Sequence, residues 1–385
     1  MKRSTLSLFL LGVCSHLCAQ YQQVDLRAAQ IPDSATGNVA SFARYLGEHF
    51  PDATERTRAI YVWMAGHVQY DIDNMFAINF YADSTDKISK PLLTHKGICE
   101  NYASLFTSLC NRSGIQSVVV VGYTLQKGFA DYIPHAWSVA RINGEWRIFD
   151  PTWGSGFIQD KKFVRKLNSD YFMPAPGRFI RNHMPFDYLW QLLYYPMTNQ
   201  EFYEGKTAPD STRPYFNYPD SIAAHLALPP IEQERAEAVR VERNGVRNSM
   251  VFDRLQHLKV DLENYRRHED MDRQNGFVTE YNTALEGYND AIKQFNVFVA
   301  YRNDQFKPAK PDAEIQQMLD SADHLVTGAR TRAAAIPATE ERVSGPARKL
   351  VAAIDDLKPR IAEQQAWLKK YLGKGKLARK MMFYK

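Results

Sequence analysis

Two strand-like runs, Ala136 to Ile142 and Glu145 to Phe149, are separated only by Asn143-Gly144. Asn-Gly between such runs is the strongest short-range hairpin signal, because both turn residues must adopt positive φ. A two-residue loop also sets the register. Ile142 then faces Glu145, Trp137 faces Asp150, and His135 lies two residues along on the same face. Diagonal same-face neighbours sit about 7–8 Å apart at Cα, close enough for an imidazole to reach a carboxylate. A slip of one residue would send them to opposite faces. Turn chemistry alone therefore brings a base and an orienting carboxylate together, although a cross-strand polar pair without function satisfies the same spacing.

The rest of the pattern surrounds this hairpin. Ile115 to Tyr123 contains four consecutive valines and reads as a strand buried on both faces. Before it, Tyr102, Ala103, Leu105, Phe106, Leu109 and Cys110 recur at helical spacing, predicting a helix over Cys99 to Arg112 that Gly114 ends. Asn38 to His67 reads as two helices broken at Pro51-Asp52. Residues 72–96 are polar and irregular, and are expected to form a long surface loop. Helix first and antiparallel strands afterwards is an α+β order. From about Asp220 strand signals stop. Three apolar stripes at helical spacing follow, through Phe277 to Val299, Ile315 to Leu325 and Leu350 to Leu372, and predict an antiparallel helical bundle. The stripes read as core, with a groove for a protein partner as the alternative.

The chain has 385 residues, 45% of them apolar and 24% charged, which suits a globular protein of about two domains. The expected division is a signal peptide at 1–19, an α+β domain with its extension at 20–215, a bundle at 220–375 and a basic tail at 376–385. A net charge of +5 gives no reason to invoke nucleic acid. Lys2-Arg3 followed by the short apolar run Leu6 to Val13 reads as an export signal, placing the protein in the periplasm or outside the cell. Cys14 after Leu11-Gly12-Val13 raises the lipoprotein alternative, against which bulky Val13 counts. No later run approaches the 18 apolar residues of a transmembrane helix.

Removal of the signal leaves Cys99 and Cys110. Export makes a disulfide the default. Eleven residues along a helix, however, separate the two by about 16 Å, whereas bridged Cα atoms lie within roughly 7 Å. Both are expected to be free thiols. Cys110 falls deep in the apolar stripe. Cys99 falls at the first turn of its helix, where the positive end of the dipole and orphan N–H groups favour the thiolate.

Gly97-Ile98-Cys99 with Tyr102-Ala103, then His135-Ala136-Trp137, then Asp150-Pro151-Thr152-Trp153 resembles the three-motif signature of the transglutaminase-like superfamily. Tyr61-Val62-Trp63 and Tyr70-Asp71 resemble that family's preceding helix. Tyr171-Phe172 through His183-Met184-Pro185 to Trp190-Gln191 resembles an extension of its bacterial exported members. The resemblance implies a papain-like α+β core. It also implies attack of the Cys99 thiolate on an amide carbonyl to give a thioester, with His135 moving protons and Asp150 orienting its ring. Water or an amine would then resolve the thioester on a peptide or protein substrate, such as one of the cell envelope. The Cys99 N–H is a natural oxyanion donor, with Tyr70 and then Trp63 as candidates for the second. Glu100-Asn101 stands where small residues are commoner in the family and is expected to narrow the acyl pocket. His183 is assigned to packing beside the cleft. His95, Cys99 and Cys110 spread over too many turns for a metal site, and no cofactor fingerprint is present. The rival to an enzyme is a non-catalytic scaffold that keeps the fold and binds protein or cell-wall peptide.

Overall fold

The computed structural model describes residues 21–81, 84–126, 133–208 and 210–384. The expected signal peptide, with Cys14 and Cys18, lies outside the described residues. Two compact units emerge, divided between Leu262 and Glu263.

The first unit begins with helices α1 (Gln22–Ala28), α2 (Val39–His49) and α3 (Ala53–His67). Asn38 caps α2 by accepting the Ser41 N–H, and Asp52 caps α3 through the Thr54 and Glu55 N–H groups. These short polar side chains satisfy donors that a helix start leaves open, so the break falls at Pro51-Asp52 as read. Strand β1 (Gln69–Tyr70) pairs in parallel with β2 (Lys96–Gly97). The stretch between them is more ordered than the expected loop, because α4 (Ser84–Thr94) occupies much of it. Its apolar face is thin. It consists of Ile88 and Leu92, both packed on the main core, so few residues carried the helical period.

Helix α5 (Cys99–Arg112) packs against a four-stranded antiparallel sheet of order β5-β4-β3-β8. Its strands are β3 (Ser117–Thr124), β4 (Ile133–Ile142), β5 (Glu145–Phe149) and β8 (His183–Pro185), and a separate hairpin joins β6 (Gly156–Gln159) to β7 (Lys162–Arg165). Ile142 faces Glu145, and Asn143 and Gly144 both take positive φ, as the Asn-Gly turn requires. The ladder ends one pair early, at Ser138 and Phe149. Asp150 leaves it to cap the short helix α6 (Pro151–Ser155).

Helices α7 (Tyr218–Leu226) and α8 (Pro230–Arg243) were expected in the bundle, yet they belong to the first unit. Ile222 packs with Trp190 and Leu189, and Ala238 and Val241 pack with Phe186 and Phe202. Buried Asp187 receives Arg240 through paired hydrogen bonds of 2.7–3.0 Å. The division therefore falls some forty residues after the loss of strand signals, because helices too can complete an α+β core.

The second unit holds the later part of α9 (Ser249–Asn303), then α10 (Asp312–Ala334) and α11 (Glu341–Leu372). Phe295, Phe298, Ile315, Leu319, Val326, Ile354, Leu357, Ile361 and Leu368 form its core, as the stripes required. The basic end is no free tail. Arg379 donates to Asp312 at 2.7–2.8 Å, and Phe383 packs on Trp367 and Tyr371. No helix among the described residues is long and apolar enough to cross a membrane.

Candidate functional site

Cys99 is the first residue of α5, only 1% exposed, and begins a helix whose start is fixed from both sides. The Asn101 side chain accepts the Ile98 N–H at 2.9 Å, and the pairing of Tyr70 with Gly97 ties the approach to β1. Position N1 leaves the Cys99 backbone N–H without an intrahelical acceptor. Further along, Tyr102 donates to the Val68 carbonyl at 2.7 Å, and Ser138 donates to the Ala103 carbonyl at 3.1 Å. Helix, β1 and sheet are thus locked together at the cysteine end.

His135 Nε2 lies 2.9 Å from Asp150 Oδ2. The other carboxylate oxygen, Oδ1, accepts the Thr152 and Trp153 N–H groups at 2.9 and 3.1 Å. Asp150 is completely buried. Burial works against its charge, but the charges and hydrogen bonds of His135 and His183 outweigh it and hold the carboxyl well below its usual range. For His135, burial is the largest influence and disfavours the cation. The charge and hydrogen bond of Asp150, then Cys99, overcome it and raise the imidazole to about 10. Cys99 lies close enough to His135 to help raise its imidazole. Since Nε2 is engaged by Asp150, Nδ1 is the ring atom left for the thiol. The arrangement sets an imidazole between a cysteine side chain and a buried carboxylate, the order that nucleophile, base and orienting group require. Cys110, at the other end of α5, sits wholly in the apolar core, where burial pushes its thiol far up. Both cysteines are free.

The two further oxyanion candidates part company. Tyr70 faces this centre: burial and then the nearby Cys99 push its phenol up, so it remains a donor. Trp63 is a core residue, with its ring on Phe42 and stacked on His67 at 4.7 Å. Glu100 and Asn101 turn away from the cleft. Glu100 pairs with buried Lys87 at 3.3 Å and accepts the Asn79 N–H, so it anchors the 72–81 segment instead of narrowing an acyl pocket.

A cleft of about 640 Å3 opens beside His135 and Tyr70. Phe157, Ile158 and Phe163 of the β6–β7 hairpin line it, with Leu167, Trp153 and Tyr171 nearby. Thr152 also lines it, and its buried hydroxyl has no hydrogen-bond partner among the described residues.

One participant escaped the sequence reading. His183, assigned to packing, brings its Nε2 to 3.1 Å from the same Asp150 oxygen. No local spacing could reveal it, because β8 lies 33 residues after Asp150 and reaches it only through sheet pairing. His135, Asp150 and His183 place three donor atoms within 4.8 Å of one another. A carboxylate this acidic only accepts hydrogen bonds, so both facing nitrogens carry protons. The set is a hydrogen-bonded relay, and a metal ion would have to displace both protons.

Residues 40–151 match the family model of the transglutaminase-like superfamily. Kyphoscoliosis peptidase of Homo sapiens is 32% identical over 191 residues, covering 48% of this chain and 28% of that protein. Hillarin of Drosophila melanogaster is 25% identical over 205 residues, covering 48% and 24%. The chain thus spans about a quarter of the length of these curated relatives. Among solved structures, the periplasmic domain of TgpA from Pseudomonas aeruginosa is similar at 20% identity over 34% of this chain and 47% of that one, with a TM-score of 0.25. Over residues 40–151, this chain is thus similar in sequence to the core of the transglutaminase-like superfamily.

Proposed function

We propose that the protein is an exported cysteine-dependent amide-bond enzyme acting on peptides or proteins. The observation that carries this reading is the buried His135–Asp150 hydrogen bond at the Cys99 end of α5. In the proposed reaction the Cys99 thiolate adds to the amide carbonyl, and the oxyanion is received by the Cys99 N–H and the Tyr70 hydroxyl. The tetrahedral intermediate collapses to a thioester as His135 gives its Nδ1 proton to the departing amine. His135 then takes a proton from an incoming water or amine, whose attack releases the acyl group and restores the thiol centre. Asp150 keeps Nε2 protonated throughout.

The apolar cleft beside His135 suits a peptide with a bulky apolar side chain near the scissile bond, and the unpartnered Thr152 hydroxyl suits a peptide carbonyl. Export rests on the signal-like first nineteen residues. A peptide-library digest of the mature protein, with and without a primary amine, tests the reading. New termini that vanish in Cys99→Ala support hydrolysis, and amine-capped products support transfer. Intact peptides under both conditions would refute the enzyme.

The near-complete burial of the Cys99 thiol favours the rival, a binding protein that retains the fold. Such a protein would retain peptides with Cys99 replaced by alanine and leave them uncut.

A further inference from the structure

We propose that His183 is a positioning residue for the Cys99–His135 pair, sharing one oxygen of Asp150 with His135 and thereby limiting how tightly that carboxylate holds the His135 proton. This rests on the thiol-centre reading above.

The placement is built by the sheet. Strand β3 runs between β4 and β8, and its Gly122 faces His135 on one side and Pro185 on the other. A Cβ at Gly122 would lie 2.2 Å from the Met184 carbonyl and 2.8 Å from the Trp137 ring. The missing side chain lets β8 lie close, and two imidazoles from strands flanking β3 then converge on Asp150. His183 is completely buried and stacked on Phe179, 3.9 Å between ring centres. Packing alone would be served by any ring. A histidine whose Nε2 lies 3.1 Å from a buried carboxylate contributes a proton donor as well.

Its protonation follows from its surroundings. Burial, the largest influence, lowers His183 to about 4 against the opposing pull of Asp150, so the ring is neutral near pH 7. Nε2–H faces Asp150, which leaves Nδ1 as an acceptor. Asn182 Oδ1 is placed 2.7 Å from it, and a neutral ring requires the amide turned over so that its NH2 group donates to Nδ1 instead. Tyr171, which lines the cleft, hydrogen bonds Asn182 in turn. The titratable groups facing this centre are Cys99 from α5, Tyr61 from α3, Tyr70 from β1 and Tyr171 from the Ser169–Tyr171 turn, besides His183 itself. Burial raises all three tyrosines, so they stay neutral. The charge felt by His135 is therefore set by Cys99 and by Asp150, and the second donor on Oδ2 makes Asp150 a weaker acceptor for His135. A proton held too firmly at His135 could not be passed to a leaving amine.

The test is the pH dependence of Cys99 alkylation by iodoacetamide, read by mass mapping, in wild type and variants of the full chain. The alkaline inflection reports loss of the His135 proton. His183→Leu should move it up by about one pH unit, since Asp150 then serves one imidazole only. His183→Gln keeps an N–H for Oδ2 and should restore most of the wild-type profile. Asn182→Asp places an acceptor on Nδ1, favours the charged ring and should move the inflection down, so the proposal stays testable even if His183→Leu fails to fold. With a substrate in hand, His183→Leu should lower kcat about tenfold to a hundredfold with little change in KM. Profiles in His183→Leu and Asn182→Asp that superimpose on wild type would overturn the proposal. A wild-type Cys99 that resists alkylation at every pH would instead overturn the thiol-centre reading beneath it.

Discussion

The two units bury very different interiors. In the second unit the core is aliphatic and aromatic, and Ser344 is the one polar side chain among its described buried residues. In the first, Arg58, Lys87, Glu100, His135, Asp150, His183 and Asp187 are all buried, each held by a named partner. Burying a charge costs free energy unless it is paired and hydrogen bonded. A bundle built for packing avoids that cost. The first unit accepts it repeatedly, and the densest accumulation lies at the His135 end of the sheet. On the proposed function, the contrast places the chemistry in the first unit.

The contrast can be broken most directly at Asp150. Asp150→Asn keeps the side-chain size but turns an amide toward two imidazole N–H groups. Turnover should fall about a hundredfold or more through the wrong His135 tautomer. Because one oxygen serves two histidines and the other caps α6, stability of the first unit should also fall by about 3 kcal/mol. Steady-state kinetics and chemical denaturation separate the two effects. An unchanged turnover would make the carboxylate purely structural. In the second unit, Ile361→Ala should cost about 2–5 kcal/mol by leaving a cavity while Cys99 alkylation stays at the wild-type rate. A loss of alkylation would show that the interiors are not independent in function.

The histidines predict a pH response confined to the first unit. His135 is raised to about 10, so the stability it adds is complete below its unfolded value of about 6.5 and is lost as pH climbs toward 10. His183 is lowered to about 4, so its burial destabilises the fold as pH drops from about 6.5 toward 4. Asp150, lowered, adds stability above the unfolded carboxylate value of about 3.9 and loses it in stronger acid. Melts should therefore show the first unit losing stability on both sides of about pH 6.5, with His183→Leu removing much of the acid-side loss. Five of the six tryptophans lie in the first unit and Trp367 in the second, so single-tryptophan variants can follow each. The smallest effect is expected at Arg379→Ala. Its half-exposed partner Asp312 limits the loss to under about 1 kcal/mol.

Much of this was legible in the sequence because local chemistry decided it. Asn143-Gly144 fixed a register that Ile142 and Glu145 obey, and the apolar spacing after Gly97 placed Cys99 at a helix start. Long-range pairing was not legible. His183 meets Asp150 across three strands, and α7 and α8 join the first unit through buried contacts their own periodicity does not advertise. The helix at 84–94 stayed hidden because its apolar face is thin and its Lys87 ends in a buried ion pair with Glu100.

On the proposed function, one end of α5 is a working thiol centre and the other is core, and one comparison tests this. Cys99 and Cys110 are alkylated in the native protein near pH 6 by iodoacetamide small enough to enter the cleft, and their rates are compared in wild type and His135→Gln. Cys99 should be modified selectively in wild type, with Cys110 protected in the apolar core, and that selectivity should be lost when His135 is replaced. Equal inertness of the two thiols, or a Cys99 rate indifferent to His135, would contradict it.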